Sequence, residues 1–241
     1  MMNDNLLFLS MDDSFQFNCD NSLSCFNTCC RNLNQLLTPY DILRIKRRLG
    51  LSSNRFLEEF VTVHIGPRSG LPIASLRPRN EQLLCPFVEE TGCSIYEDRP
   101  TSCRLYPLAR GISRDRKTGR ITEQFALMTE SFCLGAHRAE RRTVREWIVN
   151  QELLMYIQFN DLLMEMIYLK NLLRPGPLDL KERDLFILAC YDIDNFRDHF
   201  KKSVVNGSRS KTGSIQESTL DEEAFLKTSL EWVKTALFGG T

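Results

Sequence analysis

Residues 85–110 read CPFVEETGCSIYEDRPTSCRLYPLAR, and residues 17–30 read FNCDNSLSCFNTCC. The first stretch carries Cys85, Cys93 and Cys103; the second carries Cys19, Cys25, Cys29 and Cys30; Cys133 follows, and only Cys190 stands apart among nine cysteines. Thiolate sulfur is a soft ligand. Four such groups arranged tetrahedrally suit zinc, and four can also hold an iron–sulfur cluster. Pro86, Gly92 and Pro100 lie between the cysteines and let the backbone turn, so that thiols distant in sequence can meet. The spacing is neither the paired CxxC of a zinc finger nor a ferredoxin run, and it lacks the CxxxCxxC of radical enzymes. Metal binding is the expectation, with zinc and iron both open.

Cys29 and Cys30 are neighbours, and on an extended backbone neighbouring side chains diverge. They are therefore expected to serve different centres, or one of them to be structural. Four thiolates around Zn²⁺, or around an oxidised four-iron cluster, leave a net charge of about −2, which is costly to bury without donors. Arg31 follows Cys30 and Arg104 follows Cys103; between residues 99 and 120 seven basic side chains face one acid, Asp115. This basic run reads equally as compensation for a metal centre and as a solvated hairpin face.

The remainder of the chain bounds the context. Its 241 residues fit one or two domains at roughly 150 residues each. Lys plus Arg equals Asp plus Glu at 31 each, which argues against nucleic acid or acidic lipid held by bulk charge. The first residues, MMNDNLLFLSMDDSFQF, lack the basic start of a secretory signal, and the apolar stretch around 153–173 is interrupted by Gln158, Asn160, Asp161, Glu165 and Lys170. A cytoplasmic location with no membrane span is expected. Cysteines there stay reduced, which favours metal or redox chemistry over disulfides.

The pattern predicts an α+β, mainly helical protein in three parts: a loose leader over 1–14, a cysteine-rich metal domain over 15–137, and a helical region over 138–241. Thr38, Pro39 and Asp41 open a helix that Gly50 stops, with Ile42, Ile45 and Leu49 on one face. A second helix starts at Ser52 or Ser53 and buries Phe56, Leu57 and Phe60. VTVHI and PIASL read as short strands, and RLYPLARGI with ITEQFALM as a β-hairpin. One long helix is predicted over 139–173, ending at RPGP. Asp179 with Glu182 caps another that runs through YDIDNFRDHF, SVVNGSRSKTGS is a linker, and Thr219 with Glu222 caps a last helix closed by Gly239 and Gly240.

CFNTCC, then LTPYDILRIKRRLGLSSNRFL, then the 85–108 stretch together resemble the bacterial cysteine-cluster family often called CxxCxxCC, associated with zinc or iron chelation and including flagellin lysine N-methylases. The resemblance spans about 15–137, and YDIDNFRDHF and EWVKTALFG look like the helical tail of one branch. It implies a ligand set of Cys19, Cys25, Cys29, Cys30, Cys85, Cys93, Cys103 and Cys133, and places the RPxxCRxYP signature on Arg99, Pro100, Cys103, Arg104, Tyr106 and Pro107. The gaps of five and three residues in the first segment depart from the two and two of the family name. Methylation belongs to a minority of the family, so the resemblance transfers metal binding better than a reaction.

Two functional readings follow. In one, an iron–sulfur centre, 4Fe-4S in type, takes part in a reaction such as lysine methylation of a protein substrate, with Arg99, Arg104 and Tyr106 around a pocket. In the other, zinc staples an interaction module that binds a protein partner elsewhere. His137, four residues after Cys133, completes a site only if a helix begins there. His64 and His199 read as packing or surface residues, Asp194 and Asp198 share a helical face, and Cys190 reads as core. No Walker motif, phosphate loop or GxSxG is present.

Overall fold

A computed structural model describes residues 7–31, 34–115, 118, 120–128, 130–205 and 221–239. In chain order its strands are β1 (Leu7–Leu9), β2 (Ser14–Gln16), β3 (Leu36–Leu37), β4 (Val61–Ile65), β5 (Pro72–Leu76), β6 (Val88–Glu89), β7 (Gly92–Cys93), β8 (Leu108–Arg114), β9 (Ile121–Leu127) and β10 (Arg141–Thr143). The helices are α1 (Pro39–Leu49), α2 (Ser53–Phe60), α3 (Thr101–Leu105), α4 (Val144–Asn150), α5 (Leu154–Leu173), α6 (Leu180–Cys190), α7 (Ile193–Val205) and α8 (Glu222–Phe238). The fold is α+β, with small antiparallel sheets, as the pattern predicted.

The chain divides into two compact units, Met1–Leu33 with Pro78–Met155 and Asn34–Arg77 with Tyr156–Thr241. This division differs from the expected boundaries after residues 14 and 137. The stretch between the two cysteine segments leaves the first unit altogether, because its helices bury their apolar faces with the C-terminal helices. All eight clustered cysteines lie in the first unit.

In the first unit β8 and β9 pair from Leu108↔Leu127 to Arg114↔Ile121, the expected hairpin, and β1 adds to the other edge of β9 with Leu9 opposite Phe125. Residues 7–9 of the expected loose leader are thus a sheet strand. Ser14–Gln16 is another, paired with β10. Alternation decides this: Phe15 and Phe17 are buried while Ser14 and Gln16 are exposed. Both rings meet Trp147 edge-on at 5.8 and 5.6 Å, and the Trp147 indole N–H donates to the Leu105 carbonyl at 3.1 Å.

The long helix predicted over 139–173 is two helices. Residues 141–143 are the strand β10, and a reciprocal capping box between Thr143 and Glu146 opens α4. Between α4 and α5, Glu152 takes a left-handed conformation at φ 51° and Leu153 is fully buried. The Gln151 carbonyl and side chain accept hydrogen bonds from Arg104 and Arg99, so side chains from elsewhere satisfy the groups that the opened turn releases.

In the second unit α1 begins and ends as read: Thr38 and Asp41 form a capping box, Pro39 opens the helix, and Gly50 closes it at φ 65°. Ile42 and Ile45 are buried, and Leu49 is half-buried. α2 buries Phe56 fully but Leu57 and Phe60 only partly. β5 lies between β3 and β4 in a three-stranded sheet. Tyr40 stacks on Phe159 at 4.5 Å and meets Tyr156 edge-on. Asp179 with Glu182 caps α6 as expected, but the helix stops at Tyr191 and α7 starts anew. Asp192 there accepts a hydrogen bond from the Ser53 hydroxyl, and the Tyr191 hydroxyl donates to the Pro72 carbonyl. Asp221 caps α8, and Gly239 closes it at φ 61°. Thr219, Gly240 and most of the predicted linker lie outside the described residues. Among the described residues no helix is long and apolar enough to cross a membrane.

Lys46, 4 % exposed, ties α1 to α7 and α8 through Asp194 at 3.1 Å and through Glu222, which also meets Arg47 at 3.0 Å. Burial raises the Glu222 carboxyl, but Lys46 and Arg47 outweigh it and leave the group below its ordinary value of 4.5. A carboxyl depressed on folding stabilises fully above its unfolded value and ceases to do so as pH falls through the folded one. We predict that Glu222→Gln lowers the thermal midpoint at about pH 7, and that the gap to the parent chain narrows as pH falls below the ordinary carboxyl value.

Candidate metal centre

A succession of tight turns shapes the first cysteine segment. Phe17 anchors it, and the Asn18 N–H donates to the Gly135 carbonyl at 3.1 Å, which sets Cys19 beside the turn that follows Cys133. Gly135 is required there: a Cβ would stand 2.6 Å from the Phe17 ring and 3.0 Å from the Asn18 carbonyl oxygen. Hydrogen bonds Phe26 N–H to Leu23 O, Thr28 N–H to Cys25 O and Cys30 N–H to Asn27 O then coil the chain. Asn27 holds the left-handed conformation at φ 64°, and its side-chain amide donates to the Glu89 carbonyl at 3.0 Å.

Cys29 and Cys30 sit in a single turn of 3₁₀ helix, Thr28–Cys30, rather than on extended backbone. Their side chains occupy successive positions of that one turn. The divergence argument therefore loses its premise, because the turn rotates successive side chains by about 120° instead of 180°.

The second segment is fastened to the first by its backbone. The Cys85 N–H donates to the Cys30 carbonyl at 2.9 Å. The β6–β7 hairpin pairs Val88 with Cys93, and Val88 N–H donates to the Cys85 carbonyl, so Cys85 and Cys93 stay close. Arg79 clamps this hairpin by donating to the Pro86 and Val88 carbonyls at 2.7 and 3.0 Å. Pro100 precedes α3, which carries Cys103. The Leu134 N–H donates to the Cys25 sulfur at 3.3 Å, bringing in the turn that follows Cys133.

The thiols of these segments share one electrostatic field. Desolvation and then the charges of Cys29, Cys133 and Cys25 push the Cys19 thiol up to about 11. The hydrogen bond from the Cys30 thiol pulls Cys29 down to about 7, and the same bond, with burial and the charges of Cys29, Cys85 and Cys103, drives Cys30 upward. Burial raises Cys85 and Cys93, with Arg79 opposing it at Cys85 and Arg99 opposing it at Cys93. Like-charged sulfurs thus gather at a cost that a cation would relieve.

Ligand geometry itself is not formed: among the described residues no three Cys, His, Asp or Glu side chains converge to hold one ion. The chemistry of the donor set nevertheless fits a thiophilic metal. Eight free thiols lie in the first unit, with Cys25, Cys30, Cys85, Cys93 and Cys133 half-buried and Cys19, Cys29 and Cys103 exposed. The Tyr106 hydroxyl is buried beside Cys133 with no partner in hydrogen-bonding geometry, a donor suited to a charged sulfur; burial and that neighbour push its own ionisation upward.

Arg99 and Arg104 are framework as well as charge. Arg99 lies over the Tyr96 ring at 3.8 Å, donates to the Tyr96 carbonyl at 2.6 Å and reaches Gln151. Burial pulls its guanidinium below the ordinary pKa, and the neighbouring Tyr96 and Cys103 work against that. Arg104, 3 % exposed, donates to the Gln151 carbonyl at 2.6 Å and to the Glu97 carbonyl.

The remaining candidates fall elsewhere. His137 ends a 3₁₀ turn, Leu134–His137, and is exposed; with three residues per turn it leaves the face of Cys133. His64 pairs with Ser75, His199 stacks on Phe196, and Asp194 accepts from Lys46 and from the Ser53 N–H. Cys190 is buried in α6. Arg79, Asn27 and Gly135 escaped the sequence reading. Asn27 carried a local signal, as a residue tolerant of positive φ directly before Thr-Cys-Cys, whereas Arg79 acts on carbonyls whose position only the fold defines.

A chain that gathers eight reduced thiols from separated segments, braced by guanidinium groups, has the make-up of a cysteine-rich metal-chelating protein. Residues 18–134 match the family model CxxCxxCC, described as a "Putative zinc- or iron-chelating domain". Comparison with curated proteins gives no match, and comparison with solved structures gives none either.

Arg104→Met removes the donors to two part-buried carbonyls and is expected to cost about 1–3 kcal/mol in urea unfolding. Arg104→Lys recovers only part, since one ammonium cannot span both oxygens as a guanidinium does.

Proposed function

We propose that the first unit holds zinc or iron through Cys19, Cys25, Cys29, Cys30, Cys85, Cys93, Cys103 and Cys133. The observation that supports this reading is the fastening of the cysteine-bearing segments to one another, by Cys85 N–H to Cys30 O and by Leu134 N–H to Cys25 Sγ. Bound zinc would cross-link the segments, and a bound iron–sulfur cluster, 4Fe-4S in type, would add redox capacity. The chain's own residues supply the rest. Arg99 offsets thiolate charge near Cys93 and Cys103, Tyr106 presents a hydroxyl to Cys133, and Leu134 presents an N–H to Cys25.

The commitment of Arg99 and Arg104 to backbone carbonyls favours a centre that organises the chain over one in which these side chains act on a substrate. A methylase-like reaction on a lysine-bearing protein is the alternative that the family resemblance raises. Incubating the iron-loaded chain with S-adenosylmethionine and such a protein tests it, and absence of methyl transfer removes it.

Anaerobic purification followed by metal analysis and a visible spectrum tests the principal reading. A brown protein with iron and sulfide assigns a cluster, and a colourless one with stoichiometric zinc assigns a staple. A folded chain that carries neither metal, takes up neither, and shows all eight thiols open to a thiol reagent overturns the proposal.

A further inference from the structure

The second unit contains a cavity of about 190 Å³ that has no part in the thiol chemistry. Leu37, Leu71, Phe186 and Tyr191 are buried along it, while Leu36, exposed, and Asn160, half-buried, mark its rim. Its hydroxyls are already engaged. Thr38 caps α1, the Ser69 hydroxyl accepts from the Leu71 N–H at 3.2 Å, and the Tyr191 hydroxyl donates to the Pro72 carbonyl. The body of any occupant therefore meets apolar surface.

One side of the cavity comes from α5, through Asn160, Leu163 and Ile167, which share a helical face at spacings of three and four. Lys170 is the next residue on that face. It is 2 % exposed, and among the described residues its ammonium has neither a carboxylate nor a hydrogen-bond acceptor. Burial pulls it below the ordinary lysine value, and no neighbouring charge opposes this. The turn over residues 66–70 fixes where the ammonium stands. Gly66 N–H donates to the Leu71 carbonyl at 2.9 Å, Gly70 N–H to the Gly66 carbonyl at 2.8 Å, and Gly70 takes φ 65°. A Cβ on Gly70 would stand 2.7 Å from Lys170 Nζ and 2.9 Å from the Gly176 carbonyl oxygen, so the turn lies directly against the ammonium. Ser69, one residue earlier in the same turn, lines the cavity. Lys170 Nζ thus marks the Ser69 end of it.

An ammonium withdrawn from water without a partner is costly, and an apolar residue of similar size would fill the same space at less cost. Next to an apolar cavity it suits an anion with an apolar body. We propose that the second unit binds a small apolar monocarboxylate, its carboxylate against the Lys170 ammonium and its hydrocarbon body among Leu37, Leu71, Leu163 and Phe186. A cavity of about 150 Å³ takes up benzene, so about 190 Å³ suits a body of roughly six to eight carbons. A single ammonium matches one negative charge, whereas a phosphate would leave further charged oxygens unpaired in apolar surroundings. The site is independent of the metal centre.

Calorimetric titration of the full reduced chain with octanoate, and with octan-1-ol as the uncharged control, tests the proposal. Octanoate is expected to bind one to one and about tenfold or more tighter than the alcohol. Lys170→Met should abolish that preference while the alcohol still binds, and should raise the thermal midpoint, since it removes an unpaired buried charge. Ile167→Trp, which fills the cavity, should remove both ligands. Hydrogen exchange on the parent chain should show octanoate protecting peptides over 69–73 and 160–170, and this decides the location should a variant fail to fold. No octanoate binding at millimolar concentration overturns the site. Equal affinity for acid and alcohol overturns the role of Lys170, and protection confined to other peptides, or binding unchanged in both variants, overturns the location.

Discussion

Reduced sulfur side chains ionise poorly next to one another, and a polypeptide that collects eight of them must hold them by forces other than their own attraction. Here the backbone does so. The Cys85 N–H on the Cys30 carbonyl, the Asn18 N–H on the Gly135 carbonyl and the Leu134 N–H on the Cys25 sulfur fix segments that are far apart in sequence. Each of these bonds depends on a turn of particular shape, and each turn depends on residues that tolerate it: Asn27 at positive φ, and Gly135 where the Phe17 ring leaves no room for a side chain.

Arginine is the second means of support. Arg79, Arg99 and Arg104 each donate to main-chain carbonyls in the loops that bear or border the cysteines. A planar, permanently charged fork can hold two carbonyl oxygens at once and still project positive potential toward nearby thiolates. Loops without extensive secondary structure thereby obtain a rigid frame. The break between α4 and α5 belongs to this frame, since the Gln151 carbonyl that Arg104 holds lies just beyond the last turn of α4.

Much of this was legible in the chain of letters. Caps such as Thr38 with Asp41 and Asp179 with Glu182 act over three residues, and the hairpin strands β8 and β9 alternate locally, so short windows sufficed to find them. The cysteine set and its family character were equally local, because residue type and order carry them. What escaped was long-range. Apolar period ran on through 151–153 and through 191–192, and there the helices end because partners distant in sequence, Arg104 at one break and Ser53 at the other, bind the released polar groups. Leu7–Leu9 looked like a leader because an edge strand of three residues has no signal of its own until a partner lies beside it.

The amino-acid sequence on its own determined that this is a helical and stranded protein with a thiol-rich domain suited to chelating zinc or iron, because donor chemistry, capping and alternation are properties of neighbouring residues. Tertiary structure alone decided which segments share a unit, that the 34–77 stretch packs with the C-terminal helices, and that Cys29 and Cys30 sit on one 3₁₀ turn rather than on extended backbone. Those outcomes follow from hydrogen bonds and buried apolar faces joining residues tens to hundreds of positions apart, and no local window contains both partners.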